Sequence, residues 1–292
     1  MIYKSLIISL SVCIIYSIGL GLIPPHFHRL GATSHQENVV RVETVVFKSR
    51  VAPNLIVGSS LSQCLLPEFL GDQFDSLALA GIGAPTGIKL LEFQNSKPRR
   101  LFVESNYLFN DLDPELIDYF GSQPMAWLRS WLPLLRQSNQ PVTLLFSWYQ
   151  SWHPVSSRVV NQRVKRLGIA AFKATAQKPL NQDRIKLALD RTYDSLDRLR
   201  HMGVEIVLVE FPISSDLSPE PGFRQTKEWV RGKFPESEWK WIRFPLKVLP
   251  DRKLASVFDT SNFFDSISHR FPKSLLIRLQ RVEWMVVKTN DQ

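Results

Sequence analysis

Three serines stand close together in Asn54-Leu55-Ile56-Val57-Gly58-Ser59-Ser60-Leu61-Ser62. A serine hydroxyl is a weak nucleophile until a base accepts its proton, and the oxyanion it generates needs fixed donors. Parts for that chemistry recur along the chain. Ser60 follows a short apolar run. Gly81 and Gly83 follow a second such run and can each offer a backbone N–H with no side chain in the way. Asn106 follows a third and carries a side-chain amide. Near the C-terminus, His269 can act as a base, with Asp265 close before it as an orienting carboxylate. The simpler alternative for Gly58-Ser59-Ser60 is a plain turn with a helix-capping serine. Cys64 is a second, weaker candidate nucleophile, otherwise a small hydrophobe.

These residues need elements to bring them together. Leu55-Ile56-Val57, Phe74 to Ala80 and Leu101-Phe102-Val103 have the length and apolar character of buried strands. Thr86 to Ser96 has helical spacing between the second and the third. Asn181 can cap a helix running to about Met202, stopped by Gly203, and Val204 to Phe211 follows as a strongly β-forming strand. Further elements are expected as a helix within Pro219 to Phe234, a strand near Trp241 to Phe244, and a last helix opened by Pro272. Strand and helix alternating in this way predict an α/β fold with a doubly wound, mostly parallel sheet flanked by helices. In such a sheet the loops after the strands open on one edge, so Ser60, Gly81 or Gly83, Asn106 and His269 can converge there.

The N-terminus is of another kind. Ser5 to Ile23 carries no charge over nineteen residues, nearly the length that crosses a bilayer, and Pro24-Pro25 closes it. An uncleaved single-pass anchor is expected over a removed signal, with the large domain on the extracytoplasmic side. The expected organisation is an anchor or signal at 1–24, a connector at 25–50 with a β-like patch at Val39 to Phe47, and an α/β domain at 51–292. Within that domain, 111–178 reads as a tryptophan-rich helical insertion. Trp127 and Trp131, four apart, share one helix face. Core packing is the plain expectation for them, with a lid or binding wall as the alternative.

The 292 residues carry 36 Lys and Arg against 27 Asp and Glu, a formal net charge of +9, which biases the chain toward anionic surroundings. No nucleic-acid motif, P-loop, dinucleotide fingerprint or zinc-spaced histidine pair is present, so neither nucleic acid, cofactor nor metal is expected. Cys13 and Cys64 are not expected to pair.

The order Ser60, Gly81 or Gly83, Asn106, Asp265 and His269 resembles the SGNH (GDSL-like) hydrolase family, whose blocks run Ser, Gly, Asn and Asp-x-x-His. Gly58-Ser59-Ser60 is similar to the variant in envelope-associated members, those like alginate O-acetyltransferases and the D-alanyl transfer protein of teichoic acids. The resemblance covers about Asn54 to Asn106 and Val257 to Phe271. It implies a flavodoxin-like fold, Ser60 as nucleophile, Asn106 with Gly81 or Gly83 as oxyanion hole, and Asp265 with His269 completing a triad. It further implies a membrane-anchored ester hydrolase or O-acyltransferase working on an acylated envelope glycan, alongside envelope-assembly partners. One departure stands out. Three residues separate Asp265 from His269 where the family has two, and Ser268 occupies the strict histidine position. Asp259 is an alternative carboxylate partner. A non-catalytic member assisting polysaccharide assembly or export is the rival expectation.

Overall fold

A computed structural model describes residues 2–23, 31, 33–48, 50–64, 71, 73–94, 96–152, 180–211 and 221–243. The chain divides into two compact units, one of Met1–Arg50, Lys89–Ser96 and Leu112–Arg158, the other of Val51–Ile88, Lys97–Asp111 and Val159–Gln292.

The second unit holds the sheet. Its strands are β1 (Asn54–Gly58), β2 (Phe74–Ala78), β3 (Arg100–Glu104), β4 (Glu205–Glu210) and β5 (Lys240–Arg243), all parallel, in the order β2-β1-β3-β4-β5. The expected α/β class is therefore what the chain adopts. Strands β1, β3 and β4 carry buried apolar residues on both faces, the pattern of strands inside a parallel sheet. One face carries Ile56, Phe74, Phe102, Val207 and Val209, joined by Phe211. The other carries Leu55, Val57, Leu101, Val103 and Leu208, all fully buried. The strand order reverses direction between β1 and β3, so the crevice at their carboxyl ends is the topological switch point, where such sheets bind ligands.

Helix α3 (Ala84–Glu92) follows β2 and α7 (Gln182–His201) precedes β4. Asn181 caps α7 as expected, its Oδ1 accepting from the Arg184 N–H at 3.0 Å. Ile185, Leu189, Leu196 and Leu199 form its buried stripe. Helix α8 (Pro221–Lys233) lies between β4 and β5.

The first unit contains α1 (Ile2–Gly21), α2 (Ser34–Val46), α4 (Pro114–Gly121), α5 (Gln123–Trp131) and α6 (Pro141–Trp152). Tyr3–Gly21 of α1 is long and apolar enough to cross a membrane, and a signal sequence meets the same test. Leu6, Ile7, Ile8, Leu10, Val12, Ile14, Ile15 and Ile18 are each more than half exposed. Cys13 is free and exposed on the same helix.

The β-like patch expected at Val39 to Phe47 is instead helix α2, opened by a Thr33 cap whose side chain accepts from the Gln36 N–H at 3.2 Å. Its β-branched residues favour strands in isolation, but Val39, Val42 and Val45 fall at helical spacing and are buried, and packing overrides propensity. Buried Glu43 on α2 also anchors the turn that leads into α6. It accepts the backbone N–H groups of Gln137 at 2.7 Å and Ser138 at 2.8 Å, and the Tyr119 hydroxyl at 3.0 Å. Burial and the Glu43 charge push the Tyr119 hydroxyl up to about 12, against the opposing pull of Arg129.

The tryptophans correct a second expectation. Trp127 and Trp131 do share a face of α5, yet they are 60% and 70% exposed rather than in a core. Helix α5 buries no residue at all.

Candidate active site at the carboxyl edge of the sheet

Strand β1 ends at Gly58, and the chain turns through Ser59, Ser60 and Leu61 into a short 3-10 turn, Ser62–Cys64. The turn is built on a residue from another strand. Glu104, the last residue of β3, is 1% exposed. Its Oε2 accepts the Ser59 N–H at 2.7 Å and the Ser62 hydroxyl at 2.5 Å, while its Oε1 accepts the Ser59 hydroxyl at 2.6 Å. A buried carboxylate demands such partners, since an unpaired charge in an apolar interior is very costly. Ser59 Oγ also accepts the Leu61 N–H at 3.2 Å, closing the turn locally.

Gly58 is what lets the carboxylate come so near. A Cβ there would lie 2.1 Å from Ser62 Oγ and 2.5 Å from Glu104 Oε2. The glycine of Gly58-Ser59-Ser60 thus makes room for Glu104.

Of the three serines, two are buried and spent on Glu104. Ser60 is exposed, and its hydroxyl meets no hydrogen-bonding partner among the described residues. The turn therefore presents Ser60 outward from a rigid base.

The neighbouring turns are fastened to one another. The Leu79 N–H donates to the Gly58 carbonyl at 2.8 Å, and Gln63 Nε2 to the Ala78 carbonyl at 3.2 Å, tying the ends of β1 and β2. After β2, Gly81 and Gly83 have φ of 76° and 103°, in the left-handed region that glycine tolerates. Gly81 is exposed and Gly83 buried. Asn110 Nδ2 donates to the Ile82 carbonyl between them at 2.8 Å, joining this turn to the one after β3.

Asn106 has a structural task as well. Its Nδ2 donates to the Phe211 carbonyl at 2.9 Å and its Oδ1 accepts the Phe211 N–H at 2.8 Å. The side-chain amide thereby mimics a peptide group and extends the β3–β4 ladder past the strand ends. Nδ2 carries two protons, and no described residue accepts the second.

Sequence reading missed Glu104, Ser59 and Ser62 as site residues. Two signals for Glu104 were present. A carboxylate closes the otherwise apolar Leu101-Phe102-Val103 run, and charged residues are almost never fully buried without a partner.

At the end of β4, Glu210 is 9% exposed and surrounded by cations. It pairs with Lys227, with Arg231 at 2.9 Å and with Arg243 at 4.0 Å. Burial alone would raise its carboxyl, but the hydrogen bonds and charges of Lys227 and Arg231 win and hold it below the ordinary range. A cleft alongside is lined by Ser105, Asn106, Thr226, Lys227 and Trp241, with Glu210 at its wall. Because the folded-state value is lowered, this pairing stabilises the protein above the ordinary carboxyl value of 4.5 and is lost as pH falls through the lowered one. Glu210→Gln is accordingly expected to lower the Tm at neutral pH. The gap to wild type should narrow steadily as thermal melts are taken from pH 5 downward, and a gap that widens in acid would contradict the ion-pair account.

No family model, curated protein or solved structure matches this chain. Asp265, His269 and the alternative Asp259 lie outside the described residues, as does the side chain of Cys64. His201 ends α7, just ahead of the amino end of β4 and so at the opposite edge from Ser60. Among the described residues, no group of three His, Cys, Asp or Glu side chains is placed to hold a metal ion. The edge thus brings together Ser60, the glycine turn after β2 and Asn106, each at a strand's carboxyl end.

Proposed function

We propose that this chain is a membrane-anchored serine ester hydrolase or O-acyltransferase of SGNH-like type, with Ser60 as nucleophile. The observation that carries the proposal is the division of labour at the β1 turn. Glu104 consumes the hydroxyls of Ser59 and Ser62 and leaves Ser60 exposed at the switch point. Rigid presentation of one hydroxyl is what acyl transfer needs, because a nucleophile held in place avoids an entropic cost in the transition state.

In the proposed reaction Ser60 Oγ attacks the carbonyl carbon of an ester while His269, oriented by Asp265, takes the hydroxyl proton. The oxyanion is received by the second Nδ2–H of Asn106 and by the backbone N–H of Gly81 or Gly83. Collapse expels the alcohol, which regains the proton from His269. Water or a glycan hydroxyl then attacks the Ser60 ester, giving hydrolysis or transfer. The basic balance of the chain suits an acidic glycan of the cell envelope or the extracellular space. With α1 as a single-pass anchor, the domain works on the extracytoplasmic face.

The Asp265-to-His269 spacing favours a second reading, a non-catalytic envelope protein on the same scaffold that assists polysaccharide assembly or export. Reaction of the full-length protein with a fluorophosphonate, followed by peptide mass spectrometry, separates the two. A phosphonyl adduct on Ser60 is expected. An adduct on another residue would sink the assignment, and a folded protein that takes up no label would favour the second reading.

A further inference from the structure

Helix α6 is turned inside out. Its buried residues are the small polar Thr143 and Ser147, one turn apart, with the Ser147 hydroxyl donating to the Thr143 carbonyl at 2.7 Å. Its outward residues are Leu145, Trp148, Tyr149 and Trp152, all more than half exposed. No charged side chain lies anywhere on Pro141–Trp152. On α5 of the same unit, Trp127 and Trp131 stand equally exposed. Each helix pairs its tryptophans one turn apart, with ring centroids 6.1 Å and 5.5 Å from one another. Leaving so much aromatic surface in water is unfavourable, and exposed aromatic pairs of this kind on two helices of one unit mark an interaction site.

The same unit supplies the occupant. The Tyr16 hydroxyl of α1 donates to the carbonyl of Asn139, in the turn that joins α5 to α6. Tyr16 lies five residues before the end of α1 at Gly21, which at the helical rise is roughly 7–8 Å along the axis. If α1 spans a bilayer, that depth is the one at which interfacial helices rest, about 5–10 Å into the headgroup boundary. Tryptophan and tyrosine are the residues that prefer this zone, with an apolar body and a polar N–H or O–H. Charge agrees with placement. From Tyr119 to Trp152 the sequence has no Asp or Glu and two arginines, Arg129 and Arg136, a bias that favours anionic headgroups.

We infer that α5 and α6 lie in the membrane interface beside α1, their tryptophan faces bedded among lipid headgroups. The chain would then be held to the bilayer surface by a second contact besides its anchor. The inference rests on the anchor reading of α1 and is independent of Ser60.

The test uses full-length protein reconstituted in vesicles of phosphatidylcholine and phosphatidylglycerol. The acyl chains are brominated either near the headgroup or near the terminal methyl. Residues 2–21 contain no tryptophan, so tryptophan quenching does not report on α1. Four of the eight tryptophans lie on the proposed face. Shallow bromines should remove up to about half of the emission and deep bromines much less. Exchanging Trp127, Trp131, Trp148 and Trp152 for phenylalanine should abolish most of that quenching while leaving the far-ultraviolet circular dichroism unchanged. Protein that stays in the bilayer through alkaline carbonate, with tryptophans quenched by aqueous acrylamide but not by bromolipid, would overturn the inference. So would exclusion of both quenchers in an oligomer, which would assign the face to a second copy of this chain. Release by carbonate would instead refute the anchor itself, and the inference with it.

Discussion

Glu104→Ala should lower the Tm by roughly 6–20 °C, and it is the most destabilising single change expected at the site. The carboxylate is buried and receives three donors, the Ser59 N–H and the hydroxyls of Ser59 and Ser62. A hydrogen bond to a charged acceptor contributes roughly 1.5–3 kcal/mol, and a buried donor left without one costs about 1–3 kcal/mol. The three are coupled through one group, so their losses do not simply add. A combined cost of about 3–5 kcal/mol is reasonable. Glu104→Gln keeps one acceptor oxygen and turns an NH2 toward a donor, so it should fall between alanine and wild type. Thermal unfolding of detergent-solubilised protein, followed by circular dichroism, measures both. A shift of less than about 2 °C for Glu104→Ala would mean that the turn does not depend on the carboxylate.

Ser60→Ala should behave in the opposite way. Ser60 is exposed and donates to no described residue, so its loss should change stability by no more than about 0.5 kcal/mol. On the proposed mechanism, hydrolysis of an activated aryl ester should nevertheless fall by at least about 10³-fold, because removing the nucleophile leaves only binding and oxyanion stabilisation. Ser62→Ala supplies the contrast. It removes one donor from Glu104 and should cost about 1 kcal/mol or more, while Ser60 remains reactive. The informative outcome is therefore a crossed pattern, activity lost with stability kept at Ser60 and the reverse at Ser62. Wild-type turnover in Ser60→Ala would remove Ser60 from the mechanism.

The crossed pattern reflects how different kinds of information are written in the chain. The sequence alone determined the strands β1, β3 and β4 and the helix α7, because each is specified by a local run or period of apolar residues, with Asn181 marking a helix start. Their alternation was enough to give a parallel α/β sheet and the edge expected to carry Ser60, Gly81 or Gly83, and Asn106. Helix α2 departs from its local sequence signal for a physical reason. Its valines have strand propensity, and only burial at helical spacing shows which state they adopt. The exposure of the tryptophans is not legible locally, because a helix period shows that residues share a face but not whether protein covers it.

Only the tertiary structure decided the partnerships at the site. Glu104 is 45 residues from Ser59, and Asn106 is 105 residues from Phe211. Neither partnership leaves a trace at local spacing, since both exist only once β3 is seated between β1 and β4. Burial then chose among three neighbouring serines of equal chemistry. Two became part of the scaffold because a buried charge must be satisfied, and the third was left to face the solvent.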